Sequence, residues 1–219
     1  MQFRYLGLAA ALAGALAVAG SANAQSAASG LVLAKPVEFY FDADALATKP
    51  IIAVRESGDA ATAKLVKLID RNPGAKAELA QLAHLAMAGG RVDLGRELYG
   101  RALRQISPTT SLWRPLLWNY GWDLYRAGDA AAALGQWHGL MASRGITPAW
   151  LPPTLAVTLW TLGRKAEAVQ WYAAAVRTQP EHFRSTAHHA QALPNWSAAE
   201  RTTLAAVHAA WAAAPPRWP

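Results

Sequence analysis

A glycine that recurs between two apolar, alanine-rich segments constrains this chain more than any other feature. Gly90, Gly128 and Gly163 each close one such segment and precede another, with 38 residues from the first to the second and 35 from the second to the third. A glycine just past the last periodic residue is a helix stop. Beyond each glycine a small residue is followed four positions later by an aromatic one: Gly95 and Tyr99, Ala133 and Trp137, Ala168 and Tyr172. Small residues at these sites let two helix backbones approach where a leucine would hold them apart. The pattern predicts helix pairs stacked as an array, since one pair cannot bury its own apolar face. An all-α fold is expected, almost wholly helical from Ala47 to Ala213.

On these residues the chain resembles the tetratricopeptide repeat family, whose unit of about 34 residues reads W-x2-L-G-x2-Y, then A-x3-F, then Pro. The third unit, Ala149 to Pro180, carries Leu155-Ala156, Leu159, Ala168, Tyr172 and Pro180; the second, Arg114 to Gly145, carries Tyr120-Gly121, Leu124, Ala133 and Trp137. In the first, Lys76 to Pro108, Leu82-Ala83 and Tyr99 match, while Gly95 replaces the alanine. The resemblance implies a right-handed superhelical array of antiparallel helix pairs, three of them over 76–180. Upstream, 47–75 reads as a degenerate amino-terminal helix pair capping the array. Downstream, 181–219 holds capping helices and a tail of Pro and Trp. There Ser197-Ala198-Ala199-Glu200 is a capping box, opening a helix whose Leu204, Val207, His208 and Trp211 form one face over the last repeat.

The first residues read as an address. Arg4, an apolar run from Tyr5 to Val18 and Ala22-Asn23-Ala24 make a secretory signal peptide over 1–24, cleaved after Ala24. The run is shorter than the roughly 20 apolar residues of a spanning helix, so no transmembrane span is expected after cleavage, and the protein should be periplasmic or secreted. Residues 25–46 read as flexible, then extended, with Val37-Glu38-Phe39-Tyr40-Phe41 laid on the helical body through Phe39 or Phe41.

Composition narrows the chemistry. The absence of cysteine excludes disulfide scaffolds, thiol catalysis and cysteine-ligated metals. A net charge of +7, spread without a basic run, gives weak attraction to anionic surfaces, and export makes nucleic acid no expected partner. His182, His188 and His189 cluster but lack a metal-binding motif, so they read as a solvated face; neither metal nor cofactor is expected. Ile52 to Gly58, around Glu56-Ser57, resembles the glutamate-serine motif of lytic transglycosylases. The chain's Gly139-Leu140-Met141 stands far downstream of where that family's next motif belongs, so Glu56 reads as a surface residue and no enzyme is expected.

Ten tryptophans are the remaining signal. The repeat resemblance implies that the first helix of each pair lines a concave groove, which would be faced by His84 and Met87, by Trp118, Trp122, Tyr125 and Arg126, and by Trp150, Val157 and Trp160. Trp118, Trp122 and Tyr125 are spaced four and three and share a helix face. Such an aromatic trough suits a protein or peptide partner in the cell envelope, because Trp, Tyr and Arg dominate binding hot spots. The expected function is an exported adaptor; a structural or assembly subunit without a discrete peptide ligand is the alternative. Two further readings stay open: the rings fill volume in an alanine-rich core, or the carboxy-terminal helix or Trp218 folds into the trough.

Overall fold

The structure, a computed structural model, describes residues 30–142 and 145–217. The expected signal peptide and Trp218 lie outside the described residues. Among the described residues ten α-helices follow in order: α1 (Gly58–Arg71), α2 (Lys76–Ala88), α3 (Val92–Leu103), α4 (Trp113–Arg126), α5 (Ala130–Ala142), α6 (Leu151–Thr161), α7 (Lys165–Thr178), α8 (Pro180–Phe183), α9 (His189–Ala192) and α10 (Ala198–Ala213). Among the described residues there is no strand, only an isolated bridge between Asp42 and Pro148. Helices α2 and α3, α4 and α5, and α6 and α7 pack as adjacent pairs, an arrangement compatible with a helical repeat. None of the described helices is long and apolar enough to cross a membrane.

The three recurring glycines end α2, α4 and α6 in the same way. Gly90, Gly128 and Gly163 hold φ of +79°, +85° and +77°, the left-handed region where a side chain would be strained. Each glycine N–H donates to the carbonyl three residues back, and the next residue's N–H donates to the carbonyl five back: Arg91 to Ala86, Asp129 to Leu124, Arg164 to Leu159. This double closure satisfies the carbonyls that a helix end leaves unpaired. It also turns the chain so that the next helix returns along the last.

Close approach inside the pairs depends on the small residues. A Cβ on Gly121 would lie 2.4 Å from Nε1 of Trp137, so α4 and α5 meet with the indole in the space a side chain at 121 would take. A Cβ on Gly95 would lie 2.1 Å from Cγ of Met87, across the α2–α3 seam. Tyr99, Trp137 and Tyr172, the aromatics of the second helices, are wholly buried. Helix α10 packs on α6 and α7 and covers the end of the array through Leu204 and Val207.

Two expectations for the amino-terminal part change. A single helix, α1, stands where 47–75 predicted a pair, and residues 47–57 are not helical. Pro50 and the β-branched Ile51, Ile52 and Val54 disfavour a helix there, and Gln81 supplies what a helix would have: its Oε1 accepts from the N–H groups of Ala53 and Val54 at 2.7 and 2.8 Å, and its Nε2 donates to the Val54 carbonyl at 2.9 Å. In the extended stretch, Tyr40 packs inward, not Phe39 or Phe41. Its N–H donates to Thr178 Oγ1 and its ring tilts against Trp171, which turns the odd-numbered neighbours outward.

Residues 31–54 thus form a strap that crosses the pairs in reverse order. The Leu31 carbonyl accepts from Arg164 at the start of α7. Asp42 bonds the backbone of Thr147 and Ala149 ahead of α6. Asp44, at φ +42°, places its carboxylate 2.5 Å from the Arg114 guanidinium of α4, and it also accepts from Trp150 Nε1 at 3.0 Å. The Lys49 carbonyl then accepts from Asn119, and Gln81 of α2 takes the end of the strap.

Gly121→Ala is expected to destabilise the fold by about 1–3 kcal/mol through overpacking, and more than Gly89→Ala, whose added carbon comes no nearer than 3.2 Å to the Leu85 carbonyl and 3.6 Å to that of Ala86; paired thermal melts compare them. Asp44→Ala removes the anionic partner of a buried guanidinium and should cost about 3–5 kcal/mol, read from urea unfolding.

Candidate functional site

The first helices of the pairs face a common cleft of about 590 Å³. Gln81 and His84 come from α2, and Trp118, Asn119, Trp122, Asp123 and Arg126 from α4. Trp150 and Thr154 come from the start of α6. On α4, Trp118 and Trp122 make one row and Asn119, Asp123 and Arg126 the row beside it, which is how one helix presents a paired apolar and polar stripe. The strap closes one side with Thr48 to Ile52, and Ala192 to Trp196, between α9 and α10, closes another.

One wall is a run of tryptophans packed edge to face, the favoured geometry for aromatic rings. Trp150 and Trp118 have centroids 4.5 Å apart, Trp118 and Trp122 5.7 Å, and Trp122 and Trp196 4.9 Å. Behind them Trp137 backs Trp122 at 5.1 Å. Trp122 is buried by this stack, whereas Trp118 and Trp150 keep part of their surface free.

The floor is polar. The Asp123 carboxylate is buried and accepts from the Tyr99 hydroxyl at 2.7 Å and from His84 Nδ1 at 2.9 Å. Burial and the adjacent carboxylate push the Tyr99 pKa well up, keeping it a donor. The hydrogen bond to Asp123 raises the pKa of His84 against the opposing effect of burial. With Nδ1 committed to Asp123, Nε2 is the nitrogen left to a ligand, and the His84 side chain is half exposed.

Arg126 is engaged within the chain. Its Nε donates to Glu200 at 2.8 Å and its Nη2 to the Asn195 carbonyl at 3.2 Å, with the guanidinium 5.3 Å from the Trp122 ring centre. Glu200 is also the acidic member of the capping box, accepting from the Ser197 N–H. The residue before that box, Trp196, fills the end of the trough. Among the described residues, the segment that enters the trough is the approach to α10, not the helix itself.

His84, Trp118, Trp122, Arg126 and Trp150 line the cleft, and Met87, Tyr125, Val157 and Trp160 do not. Met87 is buried against Gly95. The Tyr125 hydroxyl bonds Thr161 beyond the cleft; Val157 is wholly buried, because α6 is enclosed on nearly every face. Trp160 lies under the Lys165 ammonium, 3.6 Å from its ring centre. Gln81, Asn119, Asp123, Trp196 and the strap are cleft residues that the repeat alignment passes over. Asp123 and Asn119 were marked only by their steps of three and seven to Arg126, and Trp196 only by adjoining the capping box.

The expected solvated histidine face divides. His189 is buried: the Tyr172 hydroxyl donates to the Phe183 carbonyl at 2.6 Å, so at 3.0 Å it accepts from His189 Nε2. Burial, then repulsion from His208, lowers the His189 pKa to about 4. Among the described residues no group of three or more His, Asp or Glu is arranged to hold a metal ion. Comparison with protein-family models, with curated proteins and with solved structures gives no match. The geometry alone defines the class: a helical protein of stacked pairs with a tryptophan-walled cleft.

The two histidines should pull stability in opposite directions with pH. Between about 6.5, the usual histidine value, and about 4, unfolded chains protonate position 189 while the fold resists it, so acid destabilises through His189. His189→Gln, which keeps a donor to Tyr172, should flatten that fall in melting temperature. For His84 the folded pKa is raised, so its stabilisation is full below about 6.5 and is lost as pH rises through the folded value; His84→Asn should therefore cost more at acidic than at alkaline pH.

Proposed function

We propose that the chain is an exported adaptor of tetratricopeptide type, its pairs wound as a superhelix, that binds a short segment of a protein partner in the cell envelope. The observation that carries this reading is the cleft itself: it is concave, within the roughly 300–1,000 Å³ of ligand sites, and walled by partly exposed indoles over a hydrogen-bonding floor. Its two closed sides favour a few extended residues over a long helix. An aliphatic or aromatic side chain would lie against Trp118 and Trp150, and the Asn119 amide oxygen and His84 Nε2 would bond the peptide backbone. Arg126, held by Glu200, shapes the cleft end instead of receiving the partner. The apolar start of the chain and Ala22-Asn23-Ala24 support export.

Selection of a random peptide library on the protein, followed by calorimetric titration, tests the reading. Trp118→Ala is expected to weaken a selected peptide tenfold or more, about 1.4 kcal/mol, with the helical circular dichroism retained. Trp122→Ala should instead cost about 3–5 kcal/mol of stability, the usual loss for a buried Trp. Peptides that bind Trp118→Ala as tightly as the parent chain would sink the proposal.

A further inference from the structure

The outer face of the strap has an unusual surface. Eight large apolar residues are exposed among the described residues, and six lie on the strap from Val32 to Ile52, all but Ile52 away from the cleft. Val32 is 85% exposed, Phe41 71%, Val37 47% and Phe39 40%. Phe39 and Phe41 stack on each other at 5.3 Å, turned outward because Tyr40 between them packs inward. The apolar groups stand out from an irregular segment and form no groove that a helix could fill.

Beside them lies a second pocket of about 180 Å³, lined by Lys35, Pro36, Ala173, Arg177, Pro216 and Arg217. It brings together basic side chains from the strap, from α7 and from the segment after α10. Glu38 and Tyr40 act electrostatically on Arg177, and Glu38 is the acid that faces it. Guanidinium and ammonium groups around a small cavity fit the oxygens of a phosphate. Protruding aromatic and aliphatic groups next to such a cavity fit the boundary between headgroups and acyl chains.

We infer that this face docks on an anionic phospholipid surface, with a headgroup phosphate among Lys35, Arg177 and Arg217 and with Phe39 and Phe41 entering the interface. Charge decides against a second copy as the occupant. A symmetric contact through this face sets each patch against itself, bringing like cations together on chains that each carry +7. An anionic bilayer reverses the sign of that term. Each basic side chain near such a surface contributes about fivefold in affinity. The inference is independent of the cleft and its ligand.

The chain has no cysteine, so Val37→Cys gives a single thiol for an environment-sensitive fluorophore, and Leu94→Cys on α3 gives a control away from the patch. Titration of the full chain with vesicles of phosphatidylcholine mixed with phosphatidylglycerol should shift the label at position 37 to the blue, and leave that at 94 unchanged. This contrast separates docking from any attachment through Tyr5 to Val18. Lys35→Glu with Arg217→Glu, and separately Phe39→Ala with Phe41→Ala, should each weaken the response tenfold or more while melting temperatures hold, since all four side chains are exposed. An equal shift on pure phosphatidylcholine, an unchanged response in the charge-reversed protein, or a shift that grows with protein concentration without vesicles would overturn the inference, the last in favour of a protein contact.

Discussion

The buried pair of Asp44 and Arg114 is the interaction on which the rest of the architecture leans. A guanidinium in a helix interface is costly unless its charge and donors are met, and here the partner comes from a segment outside the helical array. The same carboxylate takes the Trp150 N–H, so one acidic side chain joins the strap, the start of α4 and the start of α6. The strap's path along the cleft follows from that anchor. Through the Trp150 ring, so does the position of the tryptophan wall, since the ring bonded to Asp44 is the one stacked on Trp118.

Alanine and tryptophan divide the packing between them. Helices rich in Ala, such as α5 and α7, bury their alanines beside a few medium side chains, Leu134, Leu140 and Val176 among them. The volume left at the seams is taken by a few rings. Trp137 is the clearest case: it fills the space that Gly121 opens, and its flat indole both seals α4 against α5 and supports Trp122 from behind. Cleft and core are therefore continuous, one aromatic stack with its inner end in the seam and its outer end in solvent.

The paired helices were legible because their signals are local. A glycine stop acts within one turn, a capping box within four residues, and the Ala-aromatic pair reports a contact that every such hairpin makes. The strap was not legible. Its extended form depends on Gln81, some 27 residues away, and its buried face turns on whether position 40 or 41 meets α7, a one-residue choice that alternating apolar residues leave undetermined. Likewise the groove alignment placed residues by repeat position alone. It found His84, Trp118, Trp122, Arg126 and Trp150, but it also assigned to the cleft Met87, Tyr125, Val157 and Trp160, which do not line it. Trp196 escaped because a loop residue has no period.

The reversed course of the strap has a consequence for how the chain is made. A stack of helix pairs is a structure in which each unit needs only its neighbour, so it can grow in the order of synthesis. The strap breaks that rule: Leu31 and Tyr40 are synthesised ahead of every helix pair, yet their partners Arg164 and Thr178 come 133 and 138 residues later. Until the last pair exists, the first part of the strap has nowhere to settle. Contacts of that span slow the final step of folding, and they close an otherwise open row of helices into a ring of dependencies, in which damage to the last pair is felt by the first through a segment that belongs to neither.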